Sequence, residues 1–351
     1  MTMNIWLMEG LSSQRDIIQG ITAMAKTSQQ AISVFASHRH SRNEILSQAD
    51  VALIEPSSDE ARLPYILSRV AQHHIQVIHT GRNAHWFESH RAAIEASGVS
   101  LTTGATCTDA LDLADDKVRF AAEMARRGLP VVPSLRVDSA QQLRQLLADS
   151  PFGDLPLCVK PVTGIYGMGF WRFDDAAAPM AAFTHPDSRR VNPRYYLHAL
   201  EAAESFEPLV LMPWLPGPEY SVDMLVEKGS VLAAVARRKD GALQHLENSG
   251  EAFELGRACA EAMAADGLVN VQTRHDASGK PLLLEINMRP SGGIGYTRHS
   301  GVNLPGLFAM RRLGLMTGQQ IRETASRSFS PATVRSMTDV IRYQPLTNLI
   351  P

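Results

Sequence analysis

Short apolar runs alternate with helical apolar spacing over residues 1–105. Asn4–Met8, Ala31–Phe35, Val51–Ile54 and Gln76–His79 are brief and bounded by polar residues, so each predicts a strand. Between them, Gln14–Ala25, Asp59–Gln72 and Ala84–Ser97 repeat apolar residues at helical intervals. Strands alternating with helices predict βαβ units around a parallel sheet, and residues 1–105 are expected to form one such domain.

Beyond it the pattern changes. Asp115–Arg127 predicts a helix with two acids at its start, two arginines at its end and Gly128 as its stop. Leu129–Arg136 reads as an edge strand carrying Pro130 and Pro133, followed by a helix over Ser139–Leu147. Residues 151–156 are turn-rich. Leu157–Lys160 and Phe170–Phe173 read as strands flanking a glycine-rich loop. Pro208–Met212, Glu219–Val226 and Ser230–Arg238 form a strand-rich block, and Glu251–Asp266 a helix. Leu268–His275 and Pro281–Asn287 predict a hairpin across Asp276–Gly279. Leu304–Leu315 is expected to be the last large helix, and residues 317–351 carry no legible chemistry.

Composition narrows the function classes. The chain has 351 residues, 44% of them hydrophobic, and a net charge of −2. That supplies full cores and exerts no global pull on nucleic acid or anionic lipid. Three scattered cysteines build neither a disulfide framework nor a C-x-x-C site, so a reducing cytoplasm is the expected location. The N-terminal residues carry no basic leader, and no window approaches the roughly 18–20 apolar residues of a membrane span. Seven of the twelve histidines fall between His38 and His90, at spacings that fit no zinc pattern.

Three segments carry candidate chemistry. The first runs Val159-Lys-Pro-Val-Thr-Gly-Ile-Tyr-Gly-Met-Gly-Phe170 and places Gly164, Gly167 and Gly169 between two strands. Glycines let backbone N–H groups approach a phosphate, and Lys160 can neutralise a phosphate oxygen. The loop is neither a P-loop nor the dinucleotide fingerprint, and it reads equally as a glycine-rich hairpin beside a solvated lysine. Lys117, whose charge opposes the helix dipole, is a second phosphate candidate or a surface lysine. The second segment is the proline-rich turn Met212-Pro-Trp-Leu-Pro-Gly-Pro-Glu219. The Pro213 carbonyl and Leu215 N–H can pair with adenine, and Glu219 can hold ribose hydroxyls; a stiff hairpin with a solvated Glu219 is the alternative. The third is the hairpin. Glu285 and Asn287 sit two apart on one strand and share a face. Gln272 is expected on the same face, giving three oxygen donors suited to magnesium. Arg289 follows, able to hold a phosphate by paired hydrogen bonds. Ser291-Gly-Gly-Ile-Gly295, with Arg298 and His299 nearby, offers donors for a substrate carboxylate.

In this order the residues resemble the ATP-grasp superfamily. Asn270-Val-Gln272 with Glu285-Ile-Asn-Met-Arg289 looks most like the carbamoyl-phosphate synthetase branch, and Trp214-Leu-Pro-Gly-Pro-Glu219 is similar to the hinge of D-alanine–D-alanine ligases. The resemblance implies an α/β and α+β chain: a parallel βαβ (pre-ATP-grasp) domain over 1–105, a core of 106–156 and 206–351, and a small lobe over 157–216. It implies ATP held by Lys117, Lys160, Gly164, Gly167, Gly169, Met212, Pro213, Trp214, Leu215 and Glu219. Mg²⁺, with Mn²⁺ as a substitute, is implied on Gln272, Glu285 and Asn287, and Lys160 and Arg289 are the implied catalytic pair. Met212 stands where glutamate is common, and the loop has fewer glycines than that of biotin carboxylases. The implied activity is a ligase joining a small carboxylate, an amino acid among the candidates, to an amine through an acyl phosphate. Its partners are small molecules, not nucleic acid or membrane, and a homodimer is left open. The competing readings are a non-catalytic ATP-binding regulator and a bicarbonate-using carboxylase or carbamoyl-phosphate-type enzyme.

Overall fold

In the computed structural model, residues 2–10, 13–164, 167–338 and 340–343 are described. Within the glycine loop, Ile165 and Tyr166 lie outside that set. The first sheet has five parallel strands: β1 (Met3–Leu7), β2 (Ile32–His38), β3 (Val51–Ile54), β4 (Ile75–His79) and β5 (Ser100–Thr102), in the order β3-β2-β1-β4-β5. The alternation of apolar runs and helices thus gives the parallel sheet it predicts. The second sheet contains β6 (Leu135–Val137), β7 (Leu157–Pro161), β8 (Trp171–Phe173), β9 (Arg190–Val191) and β10 (Leu209–Pro213), ordered β6-β10-β7-β8-β9. The third contains β11 (Glu219–Glu227), β12 (Ser230–Asp240), β13 (Leu243–Glu247), β14 (Gly267–His275), β15 (Pro281–Asn287) and β16 (Ala332–Arg335), ordered β15-β14-β11-β12-β13-β16.

The chain divides into two compact units. One comprises Met1–Leu111, Tyr220–Gln272 and Ile286–Pro351; the other comprises Asp112–Glu219 and Thr273–Glu285. In the first, one apolar core packs under the parallel sheet around Trp6, Phe35 and Ile66, and another joins that sheet to strands of the third sheet. To the latter core Ile5, Val34 and Val77 contribute from the parallel sheet, Leu225, Val235 and Leu246 from the third, and Leu307 and Phe308 from the Leu304–Arg312 helix. Among the described residues the second unit has two smaller cores, one of which gathers Val132, Cys158, Met212 and Leu215 with the partly buried Trp214, Leu282 and Leu284. Among the described residues no helix is long and apolar enough to cross a membrane.

Local chemistry explains where elements depart from their apolar pattern. Ala84–Ser97 splits into helices Ala84–Ser89 and Arg91–Glu95. The Ser89 hydroxyl donates to the Trp86 carbonyl and His90 Nδ1 contacts the same oxygen, so side chains take the acceptor a continuous helix would use. The helix expected from Asp115 begins instead at Lys117, after a separate helix over Thr108–Asp115. Asp116 is its N-cap and accepts from the Val118 and Arg119 N–H groups, both at 3.0 Å. Of the expected strand Leu129–Arg136, only Leu135 and Arg136 join a ladder, as part of Leu135–Val137, and Val131 makes an isolated bridge to Leu283; Pro130 and Pro133 lack the N–H groups a longer ladder needs. Leu304–Arg312 is not the last large helix. Gly318–Ser328 follows, opened by a capping box in which Thr317 and Gln320 exchange side-chain and backbone bonds.

Candidate active site

Within the second unit, the Asp116 cap sets Lys117 at the first helical position, where a positive charge is disfavoured by the helix dipole. The ammonium group is satisfied elsewhere. Lys117 is 7% exposed, and its Nζ donates to the carbonyls of Val162 at 3.0 Å and Gly164 at 3.3 Å. Burial pushes its pKa down, opposed in part by the charge of Glu285.

Lys160 lies on β7, where antiparallel pairing sets it opposite Val210 of β10. Its Nζ is 3.4 Å from Glu285 Oε2, and Lys117 Nζ is 4.0 Å from the same oxygen. Two ammonium groups that stand 43 residues apart in sequence (160 − 117) thus meet on one carboxylate, none of the three more than about a fifth exposed. Gly164, Gly167 and Gly169 follow on from β7, all with positive φ (129°, 63° and 70°). Among the described residues a side chain at Gly164 or Gly167 would meet open space, so it is backbone conformation that selects glycine there.

The hinge occupies the end of β10. Met212 and Leu215 are buried, and Met212 is paired with Cys158 across the ladder. The Cys158 thiol points toward the Met212 and Pro213 carbonyls, at 3.6 and 3.8 Å. Burial pushes that thiol up to about 12, so it stays protonated and serves as a weak donor. The Trp214 N–H donates to the Pro156 carbonyl at 2.6 Å. Its indole carries the Arg172 guanidinium 3.7 Å from the ring centroid and that of Arg274 at 5.8 Å. Arg274 also lies 3.6 Å from Glu219 and donates to the Gly217 carbonyl. Sequence reasoning misses Arg172 and Arg274, because a lone arginine on a strand has no spacing signal; only the fold reveals their shared ring.

In the first unit, Gln272 is half-buried on β14. Arg289 Nη2 donates to Asn287 Oδ1 at 3.1 Å, tying the guanidinium to the carboxamide two residues before it. Deeper in that unit lies a polar cluster that no motif announces. Arg237 donates to Asp223 at 2.7 Å, to Gln244 at 2.6 Å and to Ser291 Oγ at 2.8 Å, while Asn270 donates to Asp223 at 3.0 Å. Ser291 Oγ also accepts from the Gly293 N–H, which fixes the start of the small-residue turn after Arg289. A buried arginine paired and hydrogen-bonded in this way avoids the penalty of an orphaned charge.

Residues 205–340 match the model of an ATP-grasp family described as ATP-grasp in the biosynthetic pathway with Ter operon. The chain is similar to the carbamoyl phosphate synthase large chain of Thermomicrobium roseum, 27% identical over 252 residues. That alignment takes in 65% of this chain and 21% of the relative, so the chain spans about a fifth of that protein's length. Among solved structures, the ADP complex of an N5-carboxyaminoimidazole ribonucleotide synthetase superposes with a TM-score of 0.66 at 15% identity, covering 94% of this chain and 80% of the other. The L-amino acid ligase of Bacillus licheniformis gives 0.60 at 15%, covering 91% and 77%. The biotin carboxylase of Campylobacter jejuni gives 0.61 at 16%, covering 92% and 72%.

Proposed function

From the ATP-grasp fold on which this chain is built, we propose that it is an ATP- and magnesium-dependent ligase. It activates a small carboxylic acid, an amino acid among the candidates, as an acyl phosphate that an amine then attacks. The observation that carries this reading is the meeting of Lys117 and Lys160 on Glu285 at the foot of a glycine loop. In this reading residues 157–216 form the small lobe, 106–156 and 206–351 the core, and 1–105 the preceding βαβ domain.

Each residue has a role its chemistry supports. Lys160, Lys117 and the backbone of Gly164, Gly167 and Gly169 hold the phosphates. Adenine lies against Met212, Pro213 and Trp214. Because the Trp214 N–H is committed to Pro156, Leu215 supplies the ring-nitrogen donor and the Pro213 carbonyl accepts from the amino group. Glu219, oriented by Arg274, takes the ribose hydroxyls. Glu285, Asn287 and Gln272 supply oxygen donors, which fit a hard cation; bound there, Mg²⁺ or Mn²⁺ neutralises phosphate charge during transfer.

A carboxylate oxygen of the acid attacks the γ-phosphorus of ATP and ADP leaves, with Lys160 and Arg289 stabilising the transferring group. The amine nitrogen then attacks the acyl carbon, phosphate departs, and the nitrogen sheds a proton. Positioning and charge stabilisation are the protein's whole contribution, so no nucleophilic side chain is required.

The test offers purified protein Mg-ATP with a panel of acids and amines and reads release of ADP and phosphate. Bicarbonate belongs in the panel because the curated relatives are carbamoyl phosphate synthases; bicarbonate-dependent release would favour a carboxylase or carbamoyl-phosphate-type enzyme. The expected result is acid-dependent release that falls by about 100-fold or more in Glu285→Ala, with unchanged circular dichroism. Nucleotide binding without release for any pair would instead indicate a regulatory protein and contradict the ligase reading.

A further inference from the structure

The two lysines on Glu285 differ in how they are held. The Lys117 ammonium is fixed by two backbone carbonyls, Val162 and Gly164, besides its 4.0 Å approach to the carboxylate. Among the described residues, Lys160 Nζ makes its one hydrogen bond to Glu285 Oε2, at 3.4 Å. Lys160 is therefore the cation that can leave without stranding a second bond. The three groups together carry a charge of 2 − 1 = +1, which repels a free divalent cation and attracts a phosphate.

We infer that Lys160 is a stand-in counterion, which occupies Glu285 until a nucleotide's phosphates draw the ammonium away and open the carboxylate to the metal. This rests on the nucleotide and metal assignments of the proposed function and adds an order to them: the divalent cation enters with the nucleotide or after it. The physical basis is exchange of one counterion for another. A partly buried carboxylate is costly when its charge is poorly compensated, so Glu285 holds Lys160 at 3.4 Å beside the more distant Lys117 until a stronger cation arrives. A phosphate provides Lys160 with a stronger partner, and the metal then provides one for Glu285. The resulting coupling is reciprocal: nucleotide tightens metal binding by the same factor by which metal tightens nucleotide binding.

Mn²⁺ alone is the probe, because the electron spin resonance signal of the free ion reports its uptake without any turnover. With no nucleotide present, wild-type protein is expected to bind Mn²⁺ weakly. Lys160→Met should bind it about tenfold more tightly, since the competing charge is gone. Lys160→Gln gives the same readout should the methionine variant unfold, and Lys160→Arg should match wild type because the charge remains. Adding Glu285→Gln to Lys160→Met should remove the gain. A parallel titration with Mn²⁺ and ADP tests the underlying reading by itself. Uptake of Mn-ADP by wild type, with no tighter Mn²⁺ binding in either neutral variant, would overturn the counterion role and leave the nucleotide site standing. Absence of Mn-ADP uptake by wild type would overturn both.

Discussion

Burial fixes the protonation of His79. The Thr102 hydroxyl donates its one hydrogen to the Ile78 carbonyl, so His79 Nδ1 must be the donor in their 3.1 Å contact. Nε2 is then a bare acceptor, buried without a hydrogen-bond partner among the described residues. Desolvation, helped by the charge of Arg312, pushes the imidazole down to about 4 from the ordinary 6.5. Between those values the unfolded chain takes up a proton that the native chain refuses. Stability is therefore fully present above pH 6.5 and is lost as pH falls toward 4, by about 3 kcal/mol for this residue. Urea denaturation of wild type and His79→Gln at pH 4.5 and 7 checks this. The variant should lose much less stability on acidification; equal losses would show that His79 does not set the slope.

At the scale of elements, a turn in the first unit makes the sharpest demand. Gly104 has a φ of 92°, and a Cβ there would overlap the Met288 carbonyl oxygen. Its own carbonyl accepts from the Asp266 N–H at 3.0 Å. Gly104→Ala should cost about 2–4 kcal/mol through strain and steric displacement, read as a lowered urea midpoint; an unchanged midpoint would contradict the packing described. What the sequence discloses at this scale follows from how local the cause is. Pro281–Asn287 has the bounds its apolar run predicts, because Asp276 closes the preceding turn with bonds to Ser278 and Lys280. Ala84–Ser97 does not hold as one helix, because Ser89 and His90 compete for a backbone carbonyl in a way no apolar spacing records. The helix Gly318–Ser328 was open to discovery in Thr317-Gly-Gln-Gln320, a capping-box pattern that an apolar pattern alone passes over. For the site, residue types identify Lys117, Lys160 and Glu285 as unusual one by one. Their meeting is invisible in sequence, since Lys160 and Glu285 stand 125 residues apart and are joined only by the fold.

At the scale of the whole molecule, the division into units cuts across the order of the chain. The first unit collects three separate stretches, and its shared core joins the parallel sheet to strands β11, β12 and β13 of the third sheet. The second unit holds both lysines, the glycines, the hinge and Glu285. The proposed nucleotide grip, drawn largely from one compact unit, would depend on that unit's own packing, with β7 aligned on β10 by the Lys160–Val210 and Cys158–Met212 pairs. Calorimetric titration of Mg-ATP into wild-type protein and Glu285→Gln tests this account most directly. It predicts one saturable site in wild type, weakened about tenfold or more by the substitution and by omission of magnesium. No uptake by wild type, or identical isotherms for the two proteins, would contradict it.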